Sequence, residues 1–96
     1  MQYFHRTSLP LDDVLAEADS FFRGRLETSS VDKRKRTYSG SMGTIDITVR
    51  AEGGHYTLVT VATDRVGESE IDKLGKRFMA LVHGRVDANH ALRGSY

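Results

Sequence analysis

The stretch TIDITVRAEGGHYTLVTVAT, residues 44–63, decides the fold. Polar and apolar residues alternate strictly over residues 44–50, and a second run rich in threonine and valine covers residues 56–63. Alternation of this kind is typical of strands that bury one face. Between the two runs, Gly53 and Gly54 can adopt the positive φ angles of a two-residue hairpin turn. The stretch therefore predicts an antiparallel β-hairpin.

A two-residue turn also predicts the register of this hairpin, because it assigns each residue before the turn one partner after it. Val49 is expected opposite Leu58, and Ile47 opposite Thr60. The face that meets the helices then carries Ile45, Ile47, Val49, Tyr56 and Leu58. The other face carries Thr44, Asp46, Thr48, Arg50, Thr57, Val59, Val61 and Thr63.

Upstream of the hairpin, the sequence predicts an amphipathic helix that ends at Gly24, a residue suited to the position after a helix C-cap. Ser8 is the expected N-cap, and Pro10 fits the first turn. The apolar residues recur at helical spacing and comprise Leu11, Val14, Leu15, Ala18 and Phe22. Residues 2–6 predict a short strand before this helix, residues 26–31 a weak strand after it, and residues 35–38 a further strand.

Downstream of the hairpin, residues 68–82 predict a second amphipathic helix. Ser69 and Asp72 have the spacing of a capping box, with Asp in the place of the usual Glu. Gly75 lies in the middle of this helix and predicts close packing against another part of the chain. Gly84 is expected to end the helix. The apolar stripe comprises Ile71, Leu74, Phe78, Leu81 and Val82.

These elements predict an α+β fold of two layers, with an antiparallel sheet of four to five strands and two helices on one face. The order is β-α-β-β-β-β-α. Residues 1–84 form a single domain in this interpretation, and residues 85–96 form a polar C-terminal tail. The second face of the sheet stays uncovered by this chain.

The predicted order resembles the unit found in TATA-box-binding-protein-like (TBP-like) and START-like folds. Within it, residues 38–45, YSGSMGTI, look like the Ser-Gly-x-x-Gly turn of a family of short bacterial proteins of the polyhydroxyalkanoate granule system. The resemblance covers the length and element order of residues 1–84. It implies a non-catalytic protein, and it supplies no catalytic residues to assign.

Composition narrows the function classes. The chain has 96 residues, 39% of them hydrophobic, and a formal net charge of +1. No run approaches the roughly 18 apolar residues of a membrane span, and the first residues lack the layout of a signal peptide. Without cysteine there is no disulfide or thiolate site, which fits a cytoplasmic protein.

Motifs for catalysis or for a cofactor are missing from the sequence. No pair of histidines has the His-x-x-x-His spacing that aims two metal ligands from one helix face. No serine lies in a Gly-x-Ser-x-Gly elbow, and no glycine-rich loop has the context of a phosphate site. We therefore expect no enzyme activity, no cofactor and no metal, with surface positions for His5, His55, His83 and His90.

The uncovered sheet face predicts a homodimer. On the register above it exposes two valines side by side, and two-fold dimers are the commonest protein assembly. The candidate interface residues are Val59, Val61, Thr48 and Arg50. An edge strand is the other route to a dimer.

Two further functions fit the sequence. Nucleic-acid binding would use the basic run of residues 33–36, which comprises Lys33, Arg34, Lys35 and Arg36 and can neutralise phosphates. Consecutive residues of a strand point to opposite faces, however, which dilutes such a patch. Carriage of an apolar ligand, the usual activity of START-like proteins, would need a cavity between the helices and the sheet.

Overall fold

The computed structural model of the protein describes residues 1–94, and the side chains of residues 1–85. The elements follow the predicted order and are β1 Gln2–Thr7, α1 Leu11–Phe22, β2 Glu27–Val31, β3 Lys35–Gly40, β4 Gly43–Glu52, β5 Tyr56–Thr63 and α2 Glu70–Gly94. The five strands form one antiparallel sheet in the order β1-β5-β4-β3-β2. The α+β class and the strand and helix counts are confirmed.

Both helices lie on the same face of this sheet, which we call the covered face. α1 packs on β3 and β4, while α2 packs on β1, β4 and β5. The apolar stripe of α1 is buried as its spacing predicts, apart from Leu11, which is partly buried. The strands contribute Tyr38, Ile45, Ile47, Val49, Val59 and Val61 to the core, and α2 contributes Ile71, Leu74, Phe78 and Val82.

The register of the β4–β5 hairpin differs by one residue from the predicted register. The loop has three residues, since Glu52 pairs with Tyr56 and His55 joins the two glycines. Val49 therefore lies opposite Val59, and Ile47 opposite Val61. Three-residue loops are the next commonest hairpin connection after two-residue loops.

The physical reason for this register lies in β5 itself. A slip of one residue turns every side chain of a strand to the other face. The observed register places the two β-branched side chains of Val59 and Val61 on the covered face, where both are 0% exposed. The predicted register would have put Leu58 and Thr60 there instead, burying less apolar surface beside β4.

The helix ends follow the sequence in part. Gly24 has a φ of +80° and follows the C-cap Arg23, as predicted. The predicted N-cap Ser8 is wrong, because α1 begins after Pro10 and has no side-chain cap. Ser69 caps α2, where its Oγ accepts a hydrogen bond from the backbone N–H of Asp72 at 3.2 Å.

Gly84 does not end α2, and this prediction is also wrong. The helix continues to Gly94, so residues 85–94 of the predicted tail are helical, while residues 95–96 lie outside the described residues. Directly after Gly84, the Nε of Arg85 lies 2.9 Å from Oε1 of Glu17 in α1. That ion pair ties the continued helix to its neighbour.

Gly75 permits the close approach that its position predicts. A Cβ at this position would lie 3.0 Å from Cγ1 of Val61 and 3.1 Å from Cδ1 of Ile45. The neighbours are side chains of the sheet. The glycine therefore lets α2 sit directly on β4 and β5 at the centre of the core.

Candidate interaction surface

The face of the sheet opposite the helices, which we call the open face, is left uncovered by the described helices. It is built by the alternate residues of the five strands, since successive side chains of a strand point to opposite faces. Its members include Phe4 and Arg6 of β1, Tyr56, Leu58, Thr60 and Ala62 of β5, Asp46, Thr48, Arg50 and Glu52 of β4, and Lys35 and Thr37 of β3.

An apolar and threonine-rich row crosses the open face from the edge strand β1 to β4. Phe4 pairs with Thr60, and Thr60 pairs with Thr48. Phe4 is 63% exposed, although a phenylalanine normally contributes its area to a core or an interface. Leu58, which lies beside this row, is half-buried.

Positively and negatively charged side chains surround this row. Nη2 of Arg6 lies 2.7 Å from Oε1 of Glu52. Asp46 accepts a hydrogen bond of 2.7 Å from the Thr37 hydroxyl, and its other oxygen lies 3.9 Å from Nζ of Lys35. Arg50 is exposed and forms no ion pair with the side chains of residues 1–85. The face therefore carries one cation that is free to pair elsewhere.

The structure divides the four residues predicted for the interface. Thr48 and Arg50 lie on the open face, as predicted. Val59 and Val61 lie on the covered face and are fully buried, so their prediction as interface residues is wrong. The one-residue shift in register is the reason, and it brings Leu58 and Thr60 to the open face in their place.

The basic run does not form one patch. Lys33 and Arg34 lie in the exposed connection between β2 and β3. Lys35 points to the open face, where it pairs with Asp46, and Arg36 lies on the covered side of the same strand. Nε of Arg36 lies 3.3 Å from a carboxylate oxygen of Asp19, and the Arg36 side chain is only 16% exposed.

Two tyrosine–aspartate pairs fix the helices onto the sheet, and the sequence analysis does not find them. The Tyr3 hydroxyl donates to the carboxylate of Asp72 at 2.7 and 2.8 Å, linking β1 to α2. The Tyr38 hydroxyl donates to Asp19 at 2.6 Å, linking β3 to α1. The partners are 69 and 19 residues apart in the chain, so no local pattern reveals them.

These pairs also shift the titration of their members. The hydrogen bond from Tyr3 lowers the pKa of Asp72, with a contribution from Lys76, whose Nζ lies 3.4 Å away. Burial, and then the hydrogen bond to Asp19, raise the pKa of Tyr38. Both shifts favour the charge states in which each pair holds its hydrogen bond.

His5 is not the surface residue that the sequence predicts. It is half-buried on the covered face and packs edge-on against His83 of α2, with ring centroids 5.7 Å apart. Burial, followed by the repulsion from His83, lowers the pKa of His5. In the sequence, the position of His5 on a strand that faces a helix is the only indication of this burial.

The described residues contain no group of three or more side chains that could hold a metal ion, and none of their helices is long and apolar enough to cross a membrane. No protein-family model matches the chain, and no curated protein is significantly similar to it. The resemblance carried by residues 38–45 stays a prediction. The open face is one feature of the described residues on which a function can be argued.

Proposed function

We propose that this chain is a non-enzymatic interaction module that pairs with a second copy of itself through the open face. The observation that carries the proposal is the exposure of Phe4, at 63%, on the edge strand β1 of a sheet face that no described element covers. Exposed apolar surface rimmed by polar residues is typical of protein–protein contacts.

The size of the open face suits a dimer. The five strands have 6, 5, 6, 10 and 8 residues. At a strand spacing of about 4.8 Å and about 3.3 Å per residue they give a flat face of roughly 550 Å². A standard interface buries about 800 Å² on each partner. Side chains that stand off the sheet raise the accessible area above the flat value, so one face per copy suffices.

The charges of the open face are complementary to the charges of the same face in a second copy related by a two-fold axis. Arg50 and Asp46 flank Thr48 in β4 at two residues on either side. A two-fold axis lying along the row of Phe4, Thr60 and Thr48 therefore brings Arg50 of one copy over Asp46 of the other, and the reverse. Each contact of such an interface occurs twice.

The same axis also places the apolar residues against each other. Phe4 meets Phe4 of the second copy, and Thr48 meets Thr48. Leu58 lies opposite Ala62, because these residues precede and follow Thr60 by two in β5. Apolar contacts flanked by charged residues are typical of protein–protein interfaces.

Sedimentation equilibrium tests this proposal. The wild-type protein should have twice the 10.7 kDa mass of the chain at micromolar concentration. Phe4→Lys and Arg50→Asp should each shift the protein toward monomer while circular dichroism shows an intact fold. A wild-type protein that is monomeric at high micromolar concentration would contradict the proposal.

Val66→Lys is the matched control. Val66 is 78% exposed in the connection between β5 and α2, away from the open face. It carries the same change of an exposed apolar side chain to lysine and should leave the dimer unchanged. A dimer that responds equally to Val66→Lys and Phe4→Lys, or that ignores Phe4→Lys and Arg50→Asp, forms elsewhere on the molecule.

The nucleic-acid alternative has less support, because two of its four cations are held by carboxylates of the same chain. Lys35 pairs with Asp46, and Arg36 pairs with Asp19. Lys33 and Arg34 alone can contact at most a few phosphates, which gives weak binding that falls steeply with salt. Tight binding of a duplex at physiological salt would favour this alternative over the dimer.

A further inference from the structure

A groove of about 350 Å³ lies on the helix side of the molecule, remote from the open face. It is bounded by the segment after α1, the turn between β3 and β4, and the first two turns of α2. The lining residues are Arg25, Met42, Glu70, Lys73, Leu74 and Arg77. Its volume is in the range of small-molecule sites.

The floor of the groove is apolar. Leu74 is buried in the core, and Met42 packs against the core while it stays partly exposed. The thioether chain of methionine adapts to ligands of different shape. The floor therefore suits an unbranched apolar chain better than a polar group.

The rim of the groove is basic. Glu70, Lys73, Leu74 and Arg77 are spaced i, i+3, i+4 and i+7, so they share one face of α2. With Arg25 from the opposite wall, three cations face one carboxylate. None of the three forms an ion pair with the side chains of residues 1–85. The groove thus has an excess of positive charge that no described side chain neutralises through an ion pair.

Arg25 is held in place at this rim. Its guanidinium stacks on the Phe21 ring at 4.6 Å from the ring centroid, and its Nη1 donates to the Phe21 carbonyl oxygen. A guanidinium fixed in this way loses less conformational freedom when it binds an anion. The planar donors of arginine also match the oxygens of a carboxylate or a phosphate.

We propose that this groove binds a small amphipathic anion, with its oxyanion head on the cations of the rim and its apolar chain on Met42 and Leu74. The uncompensated charge selects the head, and the apolar floor selects the chain. This site is independent of the open face, so binding and dimerisation are separate properties of the chain.

Calorimetric titration with three ten-carbon probes tests the proposal. Decanoate and decyl phosphate carry the two possible heads on the same chain, and decanol carries no charge. At least one of the two anions should bind more tightly than decanol and more tightly than acetate. Preference between decanoate and decyl phosphate identifies the head. Equal binding of decanol, or no binding of either anion at millimolar concentration, would overturn the proposal.

Two double variants locate the site. Lys73→Gln with Arg77→Gln removes two cations of the rim and should weaken anion binding roughly tenfold or more. Lys33→Gln with Arg34→Gln removes the same charge from the exposed β2–β3 connection and should leave binding unchanged. An equal loss in both variants would mean that only net charge matters, which contradicts a site in the groove.

Met42→Ser tests the floor separately. It should weaken the binding of decanoate or decyl phosphate while binding of the short anions acetate and inorganic phosphate stays the same, because only the long chains reach the floor. Amide chemical shifts should move at α2 and the β3–β4 turn on titration. Shifts confined to the open face would place the ligand there and refute the groove.

Discussion

The covered and open faces of the sheet are made by the same strands, yet their residues have different surroundings. In β5, Val59 and Val61 are fully buried under the helices, while Leu58 and Thr60 between them keep contact with solvent. Neighbouring residues along one strand thus differ more in solvent exposure than distant residues on the same face do. The comparison teaches that register, rather than residue type, decides which apolar side chains stabilise the monomer.

The polar contacts of the two faces differ in the same way. On the covered face, Tyr38 is 1% exposed and its hydroxyl is satisfied by Asp19. On the open face, Arg6 and Glu52 are bonded while their side chains stay 58% and 33% exposed. Exposed ion pairs contribute little to stability, whereas breaking a buried hydrogen bond leaves an unsatisfied group.

The largest effect should come from truncating adjacent residues of β5. Val59→Ala should lower the free energy of unfolding by about 2–3 kcal/mol, because it removes buried methyl groups and leaves a cavity. Leu58→Ala should cost less than about 1 kcal/mol in the monomer, although it removes more atoms. Urea denaturation at low protein concentration measures both. A larger loss of unfolding free energy for Leu58→Ala than for Val59→Ala would contradict the observed register and favour the predicted two-residue turn.

The next largest effect should come from the buried phenol. Tyr38→Phe should cost about 1–2 kcal/mol, because it removes a hydrogen bond to a carboxylate. The raised pKa of Tyr38 means that its contribution is present below pH 10 and lost as the pH rises beyond that value, since the unfolded chain ionises first. The variant should therefore lose less stability than the wild type above pH 10.

Tyr56→Phe is the control for this measurement. Tyr56 is 52% exposed and lies at the end of the open face. Removing its hydroxyl should leave the stability of the monomer at neutral pH unchanged. Equal effects of the two tyrosine variants would show that the two faces do not differ as described.

The smallest effects should come from two glycines of α2 and should have opposite signs. Gly84→Ala should stabilise the protein by up to about 1 kcal/mol, because Gly84 lies inside a helix with nothing within 4 Å of an added Cβ. Gly75→Ala should destabilise it, because the added Cβ would lie within 3.1 Å of Val61 and Ile45. Thermal unfolding measures both. Destabilisation by Gly84→Ala would indicate that the helix ends there.

The sequence predicts those parts of the fold that depend on local periodicity. The stripe of α1 and the alternation of β4 indicate their elements without knowledge of the rest of the chain. The existence of the β4–β5 hairpin is also readable, since two glycines follow one strand and precede another. Its register is not settled by the glycines, because both a two-residue and a three-residue loop accept them. The alternating valines of β5 indicate the register more strongly than the two glycines do.

The remaining errors have long-range causes. At Gly84, the sequence alone does not distinguish a glycine inside a helix from a glycine that follows the helix end. Whether the helix continues depends on contacts such as the ion pair of Arg85 with Glu17. One wall of the groove can be predicted from the sequence, because residues 70, 73, 74 and 77 share one face of a helix. Its other wall comes from Arg25 and Met42, which only the fold brings to α2.

The irregular edge of the sheet at β2 has a consequence for polymerisation. Thr28 pairs with Tyr38 and Ser30 with Thr37, so Ser29 is an extra residue that breaks the ladder. A bulged edge is a poor template for another strand. Growth of the sheet by main-chain pairing is thereby restricted to β1 at the opposite edge, and two copies joined there would use up both of their β1 edges. At high concentration, main-chain pairing at the sheet edges should therefore join two copies at most and should not extend into fibres.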